Sequence, residues 1–320
     1  MVCAAVAILV GVFLVLQWLE DSNANPEPQG DYHARFESEM LTINGKQYRQ
    51  KKNLTTILVM GIDRDSDEEM INNNRNGGNA DFMRLLVIDP AEKVLSQVAI
   101  DRDTMTPITI LGMLGNRSGT RVNHISLSHG YGDGKEQSNL LAMEAVSNLF
   151  FNVPISQYIS LNMDGISALN DSVGGITVTL EDDFSHLDPD MRQGATVTLM
   201  GDQAELFVRS RMSVGVGTNE SRMARQEQYL SKLTDALLHH IGEDSKFIGD
   251  LYDQLKPYLQ TSMSKARLVN EAWTARNYTR NPVIHPAGTH EIGSDGFMEF
   301  HADEKDLEQI VLDLFYQEVK

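Results

Sequence analysis

Residues 207–226 read F-V-R-S-R-M-S-V-G-V-G-T-N-E-S-R-M-A-R-Q and hold four arginines and no lysine, in a chain of 320 residues with a net charge of −18. Arg209 and Arg211 are two apart, so an extended backbone turns both to one face. Arg222, Arg225 and Gln226 follow the i, i+3, i+4 spacing that gathers side chains on one side of a helix. The V-G-V-G-T between them is a pliant connection that lets the two groups converge. Guanidinium concentrated in an acidic protein suits an oxyanion, most often phosphate, because the planar fork holds two oxygens at once. Arginines paired with carboxylates on a solvated face are the competing reading.

A second group of charged residues sits at the ends of apolar runs. Residues 55–62 (T-T-I-L-V-M-G-I) form a continuous apolar stretch that predicts a buried strand, and it ends at Asp63. In open α/β sheets ligands collect beyond such strand ends. Asp81 opens the next strand, residues 82–89, and residues 94–100 make a third that runs into Asp101, Arg102 and Asp103. Only the four residues 90–93 join these two strands, which predicts an antiparallel hairpin. Pairing Asp89 with Val94 then sets Asp81 opposite Arg102, a carboxylate and a guanidinium at one sheet edge. A bulge would shift that register, and a plain cross-strand ion pair is the simpler account.

The elements that must position these groups are read from periodicity. Apolar spacing predicts helices at 136–150, 164–173, 201–208, 221–241, 244–259, 264–277 and 303–318. Asp164 is expected to cap its helix and Gly174-Gly175 to stop it. Further strands are expected at 155–161 and 176–180, and an irregular hairpin at 283–300. Residues 115–134 are glycine-rich and read as irregular. Alternating strands and helices favour a single α/β/α domain, with a mixed central sheet flanked by helices.

Composition narrows the function. Lys+Arg number 27 against 45 Asp+Glu, which excludes a basic footprint for nucleic acid or for an anionic membrane surface. The lone cysteine, Cys3, permits no intrachain disulfide. His124 and His129 are five apart, not a zinc-ligand spacing on a helix or strand. Residues 2–19 contain one polar member, Gln17. With Trp18 at their end they predict a single membrane-spanning anchor, a cleaved signal peptide being the alternative. The expected organisation is an anchor at 1–20, a tether at 21–54, a catalytic domain at 55–240 and a helical extension at 241–320, all beyond the anchor on the extracytoplasmic side.

Taken in order, L-V-M-G-I-D at 58–63, A-D-F-M-R-L-L-V-I-D at 80–89, I-D-R-D-T at 100–104, R-V-N at 121–123, V-G-G-I-T-V at 173–178, G-D-Q-A at 201–204, F-V-R-S-R at 207–211 and R-M-A-R-Q at 222–226 resemble the LytR-CpsA-Psr domain of bacterial cell-envelope proteins. Asn79, Asp101 and Asn219 depart from that family's usual Arg, Pro and Asp. The resemblance implies transfer of a glycopolymer from a polyprenyl-pyrophosphate carrier onto peptidoglycan. It implies Mg²⁺ (or Mn²⁺) held by Asp63 and Asp81, and pyrophosphate held by Arg102, Arg209, Arg211, Arg222, Arg225 and Gln226. Asp63, Asp81 or Asp103 would be the base for the attacking hydroxyl. A polyprenyl pyrophosphatase and a non-catalytic lipid- or glycan-binding regulator are the alternatives. All of these groups are expected to share one cavity.

Overall fold

The computed structural model describes residues 39–43, 45–63, 77–112, 115–210, 214–215 and 219–319. The expected anchor at 1–20 and the tether through residue 38 lie outside them. No helix among the described residues is long and apolar enough to cross a membrane.

In chain order the elements are β1 (Met40–Ile43), β2 (Lys46–Gln50), β3 (Thr55–Asp63), β4 (Asn79–Asp89), β5 (Val94–Ile100), β6 (Met105–Leu111), β7 (Arg117–His124), α1 (Leu127–Gly130), α2 (Glu136–Leu149) and β8 (Gln157–Asn162). Next come α3 (Asp164–Ser172), β9 (Ile176–Thr179), β10 (Thr196–Leu199), α4 (Asp202–Arg209), α5 (Asn219–Glu243), α6 (Phe247–Leu255), β11 (Leu259–Thr261) and α7 (Lys265–Ala275). The chain closes with β12 (Thr279–Arg280), β13 (Gly288–Ile292), β14 (Met298–Ala302), α8 (Glu304–Phe315) and β15 (Tyr316–Glu318).

These residues divide into two compact units: 39–63, 77–160 and 279–319 form the first, and 161–278 the second. The reason is that the apolar residues fall into two cores. In the first, Leu58, Met60, Met83, Leu85, Val98 and Ile100 of the sheet pack with Ala142 and Val146 of α2 and with Ile310, Val311 and Phe315 of α8. In the second, Val178, Phe184, Leu199, Phe207, Tyr229 and Leu233 cluster around β9, β10, α4 and α5. Each buried Val, Leu, Ile, Met or Phe side chain among them contributes about 1.5–3 kcal/mol.

The sheet of the first unit is mixed, as expected, with the order β8-β3-β4-β5-β12. β4 runs antiparallel to β3 and β5, while β12 lies parallel to β5. The β4–β5 register is Asp89↔Val94 through Met83↔Ile100, as the four-residue turn predicts. That turn is fixed locally: Asp89 Oδ1 accepts from the amides of Ala91 and Glu92 at 3.0 and 3.1 Å, and Lys93 takes a left-handed φ of 54°.

Three local expectations change. Residues 39–50, read as tether, form β1 and β2, with β15 paired to β2. Residues 117–124, read as irregular, form β7, which pairs with β6 from Met105↔His124 to Leu111↔Arg117. Asp164 is the first residue of α3, one place beyond the expected cap position, which Met163 holds. The stop at Gly174-Gly175 is as expected, both glycines having positive φ, 78° and 85°.

Candidate functional site

In the first unit, the sheet edge gathers four of the expected residues. Asp63 ends β3 and stands opposite Asn79, the first residue of β4. The β3–β4 register jumps between Gly61↔Phe82 and Ile62↔Ala80, so Asp81 is the extra residue of a bulge. Bulges re-aim side chains at the ends of pairing. The jump lies on the β3 side of β4 and leaves the β4–β5 register intact. Extending Met83↔Ile100 by two residues brings Asp81 to Arg102, and Arg102 Nη1 pairs with Asp81 Oδ2. Arg102 Nε lies 3.4 Å from Asp103 Oδ1. The guanidinium is therefore held between two carboxylates.

Beside Asp63 lies a cleft of about 220 Å³ lined by Asp63, Gly78, Asn79, Leu127, Gly130 and Tyr131. Its wall is built by pinning residues 125–130 against the start of β4. Ala80 N donates to Ser126 O at 3.0 Å, Gly77 N to Gly130 O at 3.3 Å, and His129 Nδ1 lies 3.0 Å from Gly78 O. The fit requires glycine at residue 77, where a Cβ would come within 2.2 Å of His129 O. The Gly77-Gly78 pair thus serves close packing.

The loop that carries Arg102 and Asp103 is a tight turn centred on Asp101. Asp101 O accepts from Thr104 N at 3.1 Å and from Thr104 Oγ1 at 2.6 Å, and Asp101 Oδ1 accepts from Asp103 N at 2.9 Å. Asp101 Oδ2 lies 2.9 Å from His290 Nε2 on β13. Sequence reasoning missed this pair, because the partners are 189 residues apart and nothing local links them.

The remaining expected residues belong to the second unit. Arg209 is the last residue of α4 and pairs with Glu205 Oε1 at 2.9 Å along the same helix, so the extended geometry expected for it is corrected. Arg211 lies outside the described residues, and Arg222 falls in the first turns of α5. Arg225 is buried and satisfies its own unit. Nη1 reaches Asp182 Oδ2 at 3.0 Å, Nε donates to Phe207 O at 3.3 Å, Nη2 donates to Ser210 O, and the guanidinium stacks over Phe184 at 5.5 Å. Gln226 Nε2 donates to Val208 O at 3.1 Å. Both side chains clasp the C-terminal end of α4. Arg225 is thus an internal clamp: it pairs with a carboxylate, but in the interior of its unit and not on the solvated face of the competing reading. Nearby, Tyr229 donates to Asn170 Oδ1 at 3.2 Å; burial first, then the Asp171 charge, raises its hydroxyl pKa well above the ordinary phenol value.

Among the described residues, the group of three side chains spaced to hold a metal is Glu291, Glu299 and His301, on β13 and β14. It does not include the residues at the sheet edge. His124 contacts the carbonyl of Met298 through Nε2 at 2.8 Å and His129 that of Gly78, so both are hydrogen-bonding histidines, as expected.

The family model described as the LytR_cpsA_psr family matches residues 18–314. A polyisoprenyl-teichoic acid–peptidoglycan teichoic acid transferase TagU of Halalkalibacterium halodurans is 30% identical over 173 residues, 54% of this chain and 50% of that protein. The TagU of Bacillus subtilis is 26% identical over 268 residues, 82% of this chain and 78% of the relative. The chain thus spans half the length of one of these relatives and about three quarters of the other. The solved structure of TagT bound to LI-WTA superposes with a TM-score of 0.61 at 18% identity, over 82% of this chain and 90% of that one. With a family match over nearly its whole length, and the mixed α/β fold shared with TagT, the chain belongs to the LytR-CpsA-Psr family.

Proposed function

We propose that this protein is a phosphotransferase that moves a glycopolymer from a polyprenyl-pyrophosphate carrier onto peptidoglycan, in cell-wall assembly. The observation that carries the reading is the sheet edge of the first unit, where Arg102 is held between Asp81 and Asp103 with Asp63 at the end of the neighbouring strand. The relatives' names, teichoic acid transferases acting on peptidoglycan, support the substrate class.

In this reaction an acceptor hydroxyl attacks the sugar-linked phosphorus. The bridging P–O bond breaks, polyprenyl phosphate leaves, and a phosphodiester remains. Phosphoryl transfer asks the protein for alignment and charge stabilisation, with little covalent work. Arg102 supplies a planar fork for phosphate oxygens, and its two carboxylate partners hold it oriented. Asp63, Asp81 and Asp103 are the carboxylates at this edge able to take the hydroxyl proton. The donor set here is oxygen: two carboxylates, with the Asn79 amide opposite Asp63. That set fits Mg²⁺ or Mn²⁺, which take one or two protein carboxylates and complete their shell with substrate oxygens and water. Asp63 and Asp81 would hold the ion, which when bound neutralises charge on the phosphoryl oxygens. In the second unit Arg209, Arg211 and Arg222 are proposed as contacts for the carrier's anionic oxygens, with Arg225 and Gln226 shaping the segment they flank. Residues 1–20 are proposed as a single membrane anchor, with the rest on the extracytoplasmic side.

The test is incubation of the purified protein with a lipid-linked donor and peptidoglycan, with and without chelator. Release of polyprenyl phosphate together with wall-bound phosphodiester is expected, and chelation should abolish both. Polyprenyl phosphate released with the glycopolymer left free in solution would make the protein a pyrophosphatase. Binding of donor without release would make it a regulator.

A further inference from the structure

We propose that His290 and Asp101 form a positioning pair that holds the Arg102–Asp103 turn in its working geometry; the proposal takes from the reading above that Arg102 acts on phosphate. Asp101 has a side chain only 8% exposed, so its carboxylate depends on partners within the protein. One oxygen takes the amide of Asp103 at 2.9 Å and the other meets His290 Nε2 at 2.9 Å. The imidazole is itself held, lying against the Phe300 ring at a centroid distance of 4.7 Å, across the β13–β14 pair.

The same hairpin grips the turn a second time through the main chain. Phe300 N donates to Asp103 O at 2.8 Å, and Thr104 bridges to Phe300. Asp103 is therefore bonded at both its amide and its carbonyl. Its amide bond runs through Asp101 to His290, and its carbonyl bond runs directly to β14. On the other side, Arg102 O accepts from Ser126 N at 3.2 Å. Arg102 and Asp103 sit on a short arc clamped on both sides.

His290 has a further electrostatic effect. Asp101 is the third carboxylate in a neighbourhood that includes Asp81 and Asp103, with Arg102 as the next residue. A buried carboxylate that loses its donor seeks another cation or hydrogen bond. By supplying a donor to Asp101, His290 leaves the guanidinium to Asp81 and Asp103. Alignment at this level acts on turnover more than on donor affinity.

The experiment compares the full chain with His290→Ala and His290→Gln. Gln carries an N–H at about the position of imidazole Nε2 and serves as the conservative rescue. Steady-state transfer from a lipid-linked donor, and deuterium exchange of the segment spanning residues 101–104, are measured on each. His290→Ala should lower kcat by about 10–30-fold, the scale of a lost charge-assisted hydrogen bond, with KM within about threefold. It should speed exchange at the Asp103 amide, and His290→Gln should restore both. A kcat for His290→Ala within about twofold of the parent, a Gln variant as slow as the Ala variant, or unchanged exchange at Asp103 would each overturn the pair. Failure of the parent to turn over any lipid-linked donor would overturn the proposed reaction, and the exchange comparison would still decide whether His290 sets the turn.

Discussion

Replacing Arg102 with alanine separates chemistry from architecture at the sheet edge. The side chains involved are largely withdrawn from solvent: Arg102 is 20% exposed, Asp81 13% and Asp103 11%. Removing the cation leaves two partly buried carboxylates without the guanidinium they share. After allowance for the remaining solvent screening, the loss is about 2 kcal/mol, or roughly 4–8 °C in melting temperature for a unit of this size. The loss of transfer should be larger, about 10²–10³-fold in kcat, the range seen when one preorganised donor to a developing anion is removed. Arg102→Lys should fall between, since it retains charge and loses the fork. The assay is release of polyprenyl phosphate from a lipid-linked donor per mole of folded protein, at a temperature well below the variant's melting point. A folded Arg102→Ala protein with turnover within threefold of the parent would refute the argument and leave the Asp81–Arg102–Asp103 contacts as an ion-pair network alone.

Asp63→Asn and Asp81→Asn should each weaken Mn²⁺ binding at least about tenfold, read by direct titration; unchanged affinity in both would remove the ion from this edge. Arg225→Met should cost about 2–4 kcal/mol in urea unfolding, because the partly buried Asp182 and the carbonyls of Phe207 and Ser210 lose their partner; a cost below about 1 kcal/mol would show that the clamp does not stabilise the second unit. Tyr229 keeps its proton in the folded chain to a higher pH than its ordinary value of 10.0. The unfolded chain gives that proton up above about pH 10, so stability present below that pH is lost as pH rises beyond it, and Tyr229→Phe should flatten the loss in urea midpoints taken between about pH 9 and 11.

Much of the sheet edge was legible in the sequence because its determinants are local. A four-residue turn after Asp89 permits one antiparallel register, and counting along it brings Asp81 to Arg102. The buried face of α8 and the glycine stop after α3 were legible for the same reason, since apolar period and left-handed glycine act over a few residues. β7 was not, because R-S-G-T-R-V-N-H has little apolar alternation and becomes a strand only by pairing with β6. β1 and β2 were hidden in the same way, their pairing being completed by β15 at the far end of the chain.

Residue type and short spacing by themselves determined which side chains are candidates for chemistry, the strands at whose ends they sit, and the family to which the chain belongs. Tertiary structure decided the rest. It divided the chain between two cores, made Arg225 an internal clamp, and brought His290 to Asp101. These outcomes depend on which distant apolar surfaces bury one another and on which buried charges then find partners, and neither is set by the spacing of residues along the chain.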